Sequence, residues 1–174
     1  MKIEAFIRAV LDRLLKKKEI VNCARELYLR RWYLLRTKRV GIFIHQFVRS
    51  DEDRALHDHP WSFLVVPIWR GYVEHSERIR DCKTCDGTGI VGIFDASAGC
   101  PDCDLGEVRE ARQTRVYPLL GTRFRGGTYR HRVDLIDGKA AWSLFFRFTE
   151  NRVWGFWLPD GFKPWNLFWQ EKCE

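Results

Sequence analysis

Long apolar runs are missing from this chain. The longest in its front half, Trp61 to Trp69, has nine residues, far short of the 18 or so that a membrane-spanning helix needs. No membrane association is therefore expected. The first 19 residues, MKIEAFIRAVLDRLLKKKE, hold neither an unbroken apolar segment nor a small-residue cleavage site. That argues against a secretory signal and makes a cytoplasmic location the expectation. No Gly-rich phosphate loop, strand–helix–strand rhythm or internal repeat is present, which argues against nucleotide-binding α/β folds, solenoids and propellers. Histidine is scarce too, with five in 174 residues, so any cluster of them is informative.

What is there describes a folded domain. A composition 45% hydrophobic and 30% charged excludes disordered and low-complexity chains. The length suits one domain, whose core needs no disulfides to exist. The formal net charge of +7 favours acidic partners such as small anions. Four thiolates on one Zn(II) would lower it to about +5, an ordinary value, and nucleic acid is possible but not favoured as a partner.

Apolar residues Ile3, Phe6, Ile7, Val10, Leu11, Leu14 and Leu15 recur at three-and-four spacing, which predicts an amphipathic helix within residues 1–22 whose stripe packs on the body of the domain. Beyond Cys23 the pattern changes to short aromatic and β-branched runs. These are Leu27–Arg36, Val40–Val48, Ser62–Ile68, Tyr72–His75, Gln113–Tyr117, His131–Leu135, Ala141–Thr149 and Arg152–Trp157. With turn signals at Asp137-Gly138 and Pro159-Asp160-Gly161, they predict an all-β antiparallel barrel or sandwich over residues 27–174. The aromatic segment Pro159 to Phe168 is expected to close over the body.

The strand rhythm stops between Ser76 and Arg112, so residues 77–111 read as an insertion in a hairpin. Cys82-Lys-Thr-Cys85 and Cys100-Pro-Asp-Cys103, 14 residues apart, can present four thiolates tetrahedrally to a structural Zn(II), which replaces the core that the small, polar segment between them cannot build. Cys85-Asp-Gly87-Thr-Gly89 and Cys103-Asp-Leu-Gly106 resemble the zinc knuckles of DnaJ-type chaperones; the likeness covers about 25 residues and implies metal ligation without chaperone activity. Cys23 and Cys173 are expected as a buried thiol and a tail thiol.

His57-Asp58-His59-Pro60-Trp61 places two imidazoles at i and i+2, on one face of an extended chain. His131, after Gly126-Gly127, is the candidate third ligand. His57, His59 and Gly71, then Gly127 and His131, resemble the two motifs of the cupin superfamily over residues 40 to 150. The segments Asp51–Trp61 and Trp154-Gly155-Phe156-Trp157 also resemble small cupin proteins of phages and bacteria that carry an HDHPW sequence. The resemblance implies a cupin-type barrel (jelly roll) and, by analogy with other cupins, a homodimer. The family glutamate would fall at 63 or 64, where Phe63 and Leu64 stand. This leaves a three-histidine site for a divalent metal, possible for Fe(II) as in cysteine-dioxygenase-like cupins, or recruitment of Glu74 or His75; strand alternation lets only one of these face inward, and Glu74 is favoured. Glu74 is then a fourth ligand or acid/base group, Arg130 or Arg147 a clamp for a small anionic substrate, and His45 a core or supporting histidine. The two functions in play are a metal-dependent enzyme, dioxygenase-like or isomerase-like, and a non-enzymatic module that binds a ligand or nucleotide and uses its zinc knuckle for protein or nucleic-acid contact.

Overall fold

The computed structural model describes residues 2–51, 55–88, 90–91, 98–102, 107–150 and 152–173. Helix α1 (Lys2–Leu14) precedes fourteen strands. The first six are β1 (Lys17–Val21), β2 (Leu27–Arg36), β3 (Gly41–Phe47), β4 (Leu56–His57), β5 (Trp61–Trp69) and β6 (Tyr72–Asp81). Two short strands, β7 (Ile90–Val91) and β8 (Ala98–Gly99), lie within the expected insertion. Then come β9 (Glu107–Val116), β10 (Arg123–Arg125), β11 (His131–Leu135), β12 (Ala141–Glu150), β13 (Gly155–Leu158), β14 (Gly161–Pro164) and helix α2 (Trp165–Cys173).

The strands form two six-stranded sheets, ordered β1-β2-β3-β12-β5-β10 and β14-β13-β4-β11-β6-β9, with β7 and β8 pairing separately. With β3, β4, β5, β6, β9, β10, β11 and β12 counted as one to eight, the sheets contain the orders 1-8-3-6 and 2-7-4-5. That is the double Greek key of a jelly roll, so the fold is a cupin-type antiparallel β-barrel. Contacts divide the chain into two units, residues 1–75 with 114–174, and Ser76–Gln113.

Alternation along the strands sets the inner wall of the barrel. Phe43, Phe63, Val65 and Phe145 form one buried cluster, and Tyr72, Val116, Val133, Leu135 and Ala141 another. Gly71 tolerates no side chain, because a Cβ there would lie 2.0 Å from the Val116 carbonyl oxygen. Asp137 and Gly138 both take positive φ, 52° and 62°, at the turn expected there.

Two expectations for the N-terminus are corrected. The helix stops at Leu14, and Lys17–Val21 pairs with β2 instead of extending it; β-branched Ile20 and Val21 suit a strand. The apolar stripe packs only in part: Ile7, Leu11 and Leu15 are half-buried, whereas Ile3, Phe6, Val10 and Leu14 are exposed. Polar contacts hold the helix there. Glu4 accepts hydrogen bonds from Gln46 Nε2 (2.8 Å) and Trp142 Nε1 (3.2 Å), and Asp12 accepts one from Trp32 Nε1 (2.8 Å). The outer face beneath α1 carries buried N–H donors, and the two helix carboxylates satisfy them.

Cys23 and Cys173 are not two separate thiols either. They are joined in a disulfide across a sequence separation of 150 residues, tying the turn after β1 to the end of α2. Alone, neither cysteine has a local signature; only the return of the tail across the barrel brings them together. The tail contributes β14 and α2, with Phe168 buried against Phe156 at 3.8 Å between ring centroids.

Candidate metal centre

The site starts from strand register. His57 in β4 lies directly opposite His131 in β11, with Phe156 of β13 on its other side. Direct cross-strand partners hold their Cβ atoms about 5 Å apart, so residues 74 positions apart become neighbours. His59 follows at i+2, its backbone N–H bonded to the Gly127 carbonyl (3.0 Å). A Cβ on Gly127 would come within 2.9 Å of the His59 carbonyl oxygen, so glycine permits the close approach that places this loop beside the pair.

The three rings form a nearly equilateral triangle, with centroids 5.2 Å apart for His57–His59, 5.0 Å for His57–His131 and 5.1 Å for His59–His131. One ligand nitrogen of each lies within 4.8 Å of the others. The Nε2 atoms of His59 and His131 are 2.9 Å apart, close to the roughly 3 Å separating two nitrogens bound at right angles to one ion. Burial, reinforced by the neighbouring His131 and His57, pushes the His59 pKa well down. The ring is therefore neutral and keeps a lone pair for a cation.

Glu74 is the inward-facing member of its pair, 4% exposed, while His75 turns to the other side and meets Asp134 (2.8 Å). Glu74 does not stand where a fourth ligand would. Its Oε1 sits 3.0 Å from His131 Nδ1, on the edge of the ring away from His59, and its Oε2 accepts from Arg125 Nη2 (3.2 Å) and Tyr129 Oη (3.1 Å). Burial alone would raise the Glu74 pKa, but the hydrogen bond and charge of His131 and the Arg125 guanidinium bring it to about 2. The ionised carboxylate takes the Nδ1 proton of His131 as a hydrogen bond, which fixes the tautomer and aims Nε2 at the other rings. Of the two roles expected for Glu74, that of a fourth ligand is corrected to this support of His131. Asp51 stands behind His57, with Oδ2 4.0 Å from Nδ1, and is held by Tyr28 Oη and by the Val133 N–H (2.6 Å).

Asp58, between the two histidines, is fully buried and serves as a latch. It accepts from Arg152 Nη1 (2.6 Å), the Gly155 N–H (2.9 Å) and Trp157 Nε1 (3.1 Å). The His-Asp-His order is thereby explained, with alternate residues facing the cavity and the one between them clasping β13.

The three histidines line a cavity of about 750 Å³, together with Trp61, Phe63, Phe145, Trp154 and Phe156. Neither arginine chosen from the sequence as a clamp is on its wall. Arg130 stacks on Trp157, 3.2 Å from the ring centroid, and Arg147 donates to the Thr37 carbonyl (2.9 Å). Among the described residues, the arginine on the wall is Arg31 of β2. Sequence inspection passed over it because Arg30-Arg31 gives no sign of which residue faces inward until the register against β3 is known.

In the unit Ser76–Gln113, the thiols of Cys82, Cys85 and Cys100 are buried, with their sulfurs within 4.8 Å of one another. The Cys82 and Cys100 sulfurs are 3.8 Å apart, the spacing of two thiolates at about 2.3 Å from one tetrahedral Zn(II) and nearly twice a disulfide length. The first knuckle turns through Gly87 N–H to Cys82 carbonyl (3.0 Å) and Thr88 N–H to Cys85 carbonyl (2.9 Å). Cys103, the fourth expected ligand, lies outside the described residues.

No protein-family profile matches the sequence, and no curated protein does. Among solved structures, the chain is similar to hydroxypropylphosphonic acid epoxidase from S. wedmorenis, at 10% identity and a TM-score of 0.45 over 76% of this chain and 56% of that one. It is also similar to Streptomyces albus HEPD with 2-hydroxyethylphosphonate and Fe(II) bound, at 10% identity and 0.49 over 85% and 26%. A third is a conserved protein with a double-stranded β-helix domain from Klebsiella pneumoniae, at 11% and 0.46 over 84% and 92%. The chain thus spans little more than half of the first and about a quarter of the second.

Proposed function

We propose that this chain is a metal-dependent cupin that holds a divalent ion, such as Fe(II), on His57, His59 and His131, and acts on a small anionic molecule admitted to the cavity. The observation that carries this is the convergence of three imidazoles from two separate segments at the cavity wall, with the Nδ1 of His131 held by Glu74 so that its Nε2 faces the other two. When bound, such an ion supplies open coordination positions for a substrate and for dioxygen or water. The chain's own residues prepare the site. Glu74 holds the His131 proton at Nδ1, Asp51 backs His57, and the aromatic walls exclude water from the cavity.

The insertion has a separate role in this reading: Cys82, Cys85 and Cys100, completed by Cys103, bind a structural Zn(II), supported by the tetrahedral spacing of two of the sulfurs. Four sulfurs leave no open position, so this metal is not catalytic.

Elemental analysis of protein purified without chelator tests both assignments. Two ions per chain are expected, one of them zinc, and the double variant His57→Ala, His59→Ala should carry zinc alone. A double variant that keeps two ions would refute the barrel site. Wild-type protein with one zinc, and no uptake of added Fe(II) or Co(II), would favour a non-enzymatic ligand-binding barrel.

A further inference from the structure

One polar row crosses the inner wall of the barrel. Arg31 of β2 is paired with His45 of β3, and His45 with Ser143 of β12. The neighbouring inward rows are apolar or aromatic: Tyr33, Phe43 and Phe145 to one side, and Leu29, Phe47 and Ala141 to the other. A charged row between two such rows stands out, because buried charge is costly unless something answers it.

Among the described residues only neutral groups do. Arg31 donates from Nε to His45 Nε2 at 2.9 Å, is hydrogen-bonded to the Tyr33 phenol, and lies with its guanidinium carbon 5.1 Å from the Phe43 ring centroid. Among the described residues it forms no ion pair with a carboxylate. The other cation on the cavity wall, Lys18, is exposed. His45 Nε2 accepts from Arg31, so the neutral ring carries its own proton on Nδ1, and burial together with the adjacent Arg31 keeps it neutral. That buried Nδ1–H has no hydrogen-bond partner, nor have Ser143 Oγ and the indole N–H of Trp61. An idle buried donor is costly. Arg31, His45 and Trp61 all line the cavity that the three metal-site histidines line.

We infer that Arg31, positioned by His45, forms a carboxylate-binding subsite on the barrel wall, and that the cavity takes a flat, aromatic monocarboxylate whose acid group the guanidinium holds while its ring lies among Trp61, Phe63 and Phe145. One guanidinium matches a single negative charge, and His45 fixes its orientation by accepting from Nε. Trp61, Phe63 and Phe145 on the same wall suit a planar apolar body. This rests on the use of the cavity as a substrate site proposed above, but not on the presence of the metal.

Phenylacetate serves as the probe, with 2-phenylethanol as its neutral counterpart and methylphosphonate as the non-aromatic anion. Binding is followed by tryptophan fluorescence and calorimetry in the wild-type protein and in the His57→Ala, His59→Ala variant. In both, phenylacetate should bind in preference to the other two, and Arg31→Met should weaken it about 10- to 100-fold. Arg31→Lys should fall between, and His45→Phe should lose a smaller factor. Circular dichroism identifies any variant that has not folded, and the ligand comparison within wild-type protein stands without variants. Equal binding of phenylacetate and 2-phenylethanol, preference for methylphosphonate, no phenylacetate binding at millimolar concentration, or unchanged affinity in a folded Arg31→Met protein would each overturn the inference. Arg31-dependent binding that persists in the double histidine variant would uphold the subsite even if the metal assignment fell.

Discussion

The chain contains two clusters suited to a metal, and they are built by opposite means. The cysteine cluster is local: three sulfurs come from a 19-residue span, whose described residues form two tight turns and a two-residue strand pair. The histidine cluster is assembled by topology, since His57 and His131 meet only because β4 and β11 are neighbours in a sheet closed by distant strands. Its supports, Glu74, Arg125, Tyr129 and Asp51, come from four further places in the chain. The lesson is one of dependence. A local cluster relies on its ion to hold its fold, whereas a topological cluster relies on its fold to hold the ion.

The strongest way to break this comparison is to remove one local ligand. Cys82→Ser should lose the whole zinc equivalent and the ordered structure of residues 76–113, while the barrel's unfolding transition stays in place. Metal analysis with hydrogen exchange measures both, and unchanged zinc content would remove the assignment. Next comes the latch. Asp58→Ala strips three donors of a fully buried carboxylate partner, and should destabilise the barrel by about 3–5 kcal/mol in urea unfolding without changing the zinc content. Loss of zinc in a folded Asp58→Ala protein would mean that the two clusters are not independent.

The smallest expected effect concerns the carboxylate behind His131. Glu74→Gln keeps the shape and removes the charge, and should weaken barrel metal affinity about 10- to 100-fold, read by competition with a chelator. It should also change the acid limb of stability. A carboxyl group depressed to about 2 stabilises the native state fully above its unfolded value near 4.5, and that contribution is lost as pH falls through its folded value. This amounts to something on the order of 3 kcal/mol between about pH 5 and pH 2. The wild-type protein should therefore lose more stability than Glu74→Gln over that range; parallel curves would argue against the depressed carboxyl.

Much of this was legible from local pattern. The long runs at Leu27–Arg36, Val40–Val48, Ser62–Ile68 and Ala141–Thr149 each contain a strand core, because alternation over many residues is a strong signal. Strands β4 and β10, of two and three residues, offered too few positions for a period to show. Helix α2 was hidden in an aromatic tail whose residues suit either structure. Its two faces hardly differ in polarity, so periodicity could not reveal it.

The sequence by itself determined that the chain makes an antiparallel β-fold, that His57 and His59 share a face, and that two Cys-x-x-Cys pairs bracket an insertion. All of these follow from spacings of a few residues, where backbone geometry links position directly to direction. Only the folded chain brings His131 to His57, sets Glu74 behind His131 and apart from the other two rings, puts Arg31 and not Arg130 or Arg147 on the cavity wall, and joins Cys23 to Cys173. Each depends on strand register or on where the tail returns, and a shift of one residue would turn every side chain of a strand to the opposite face.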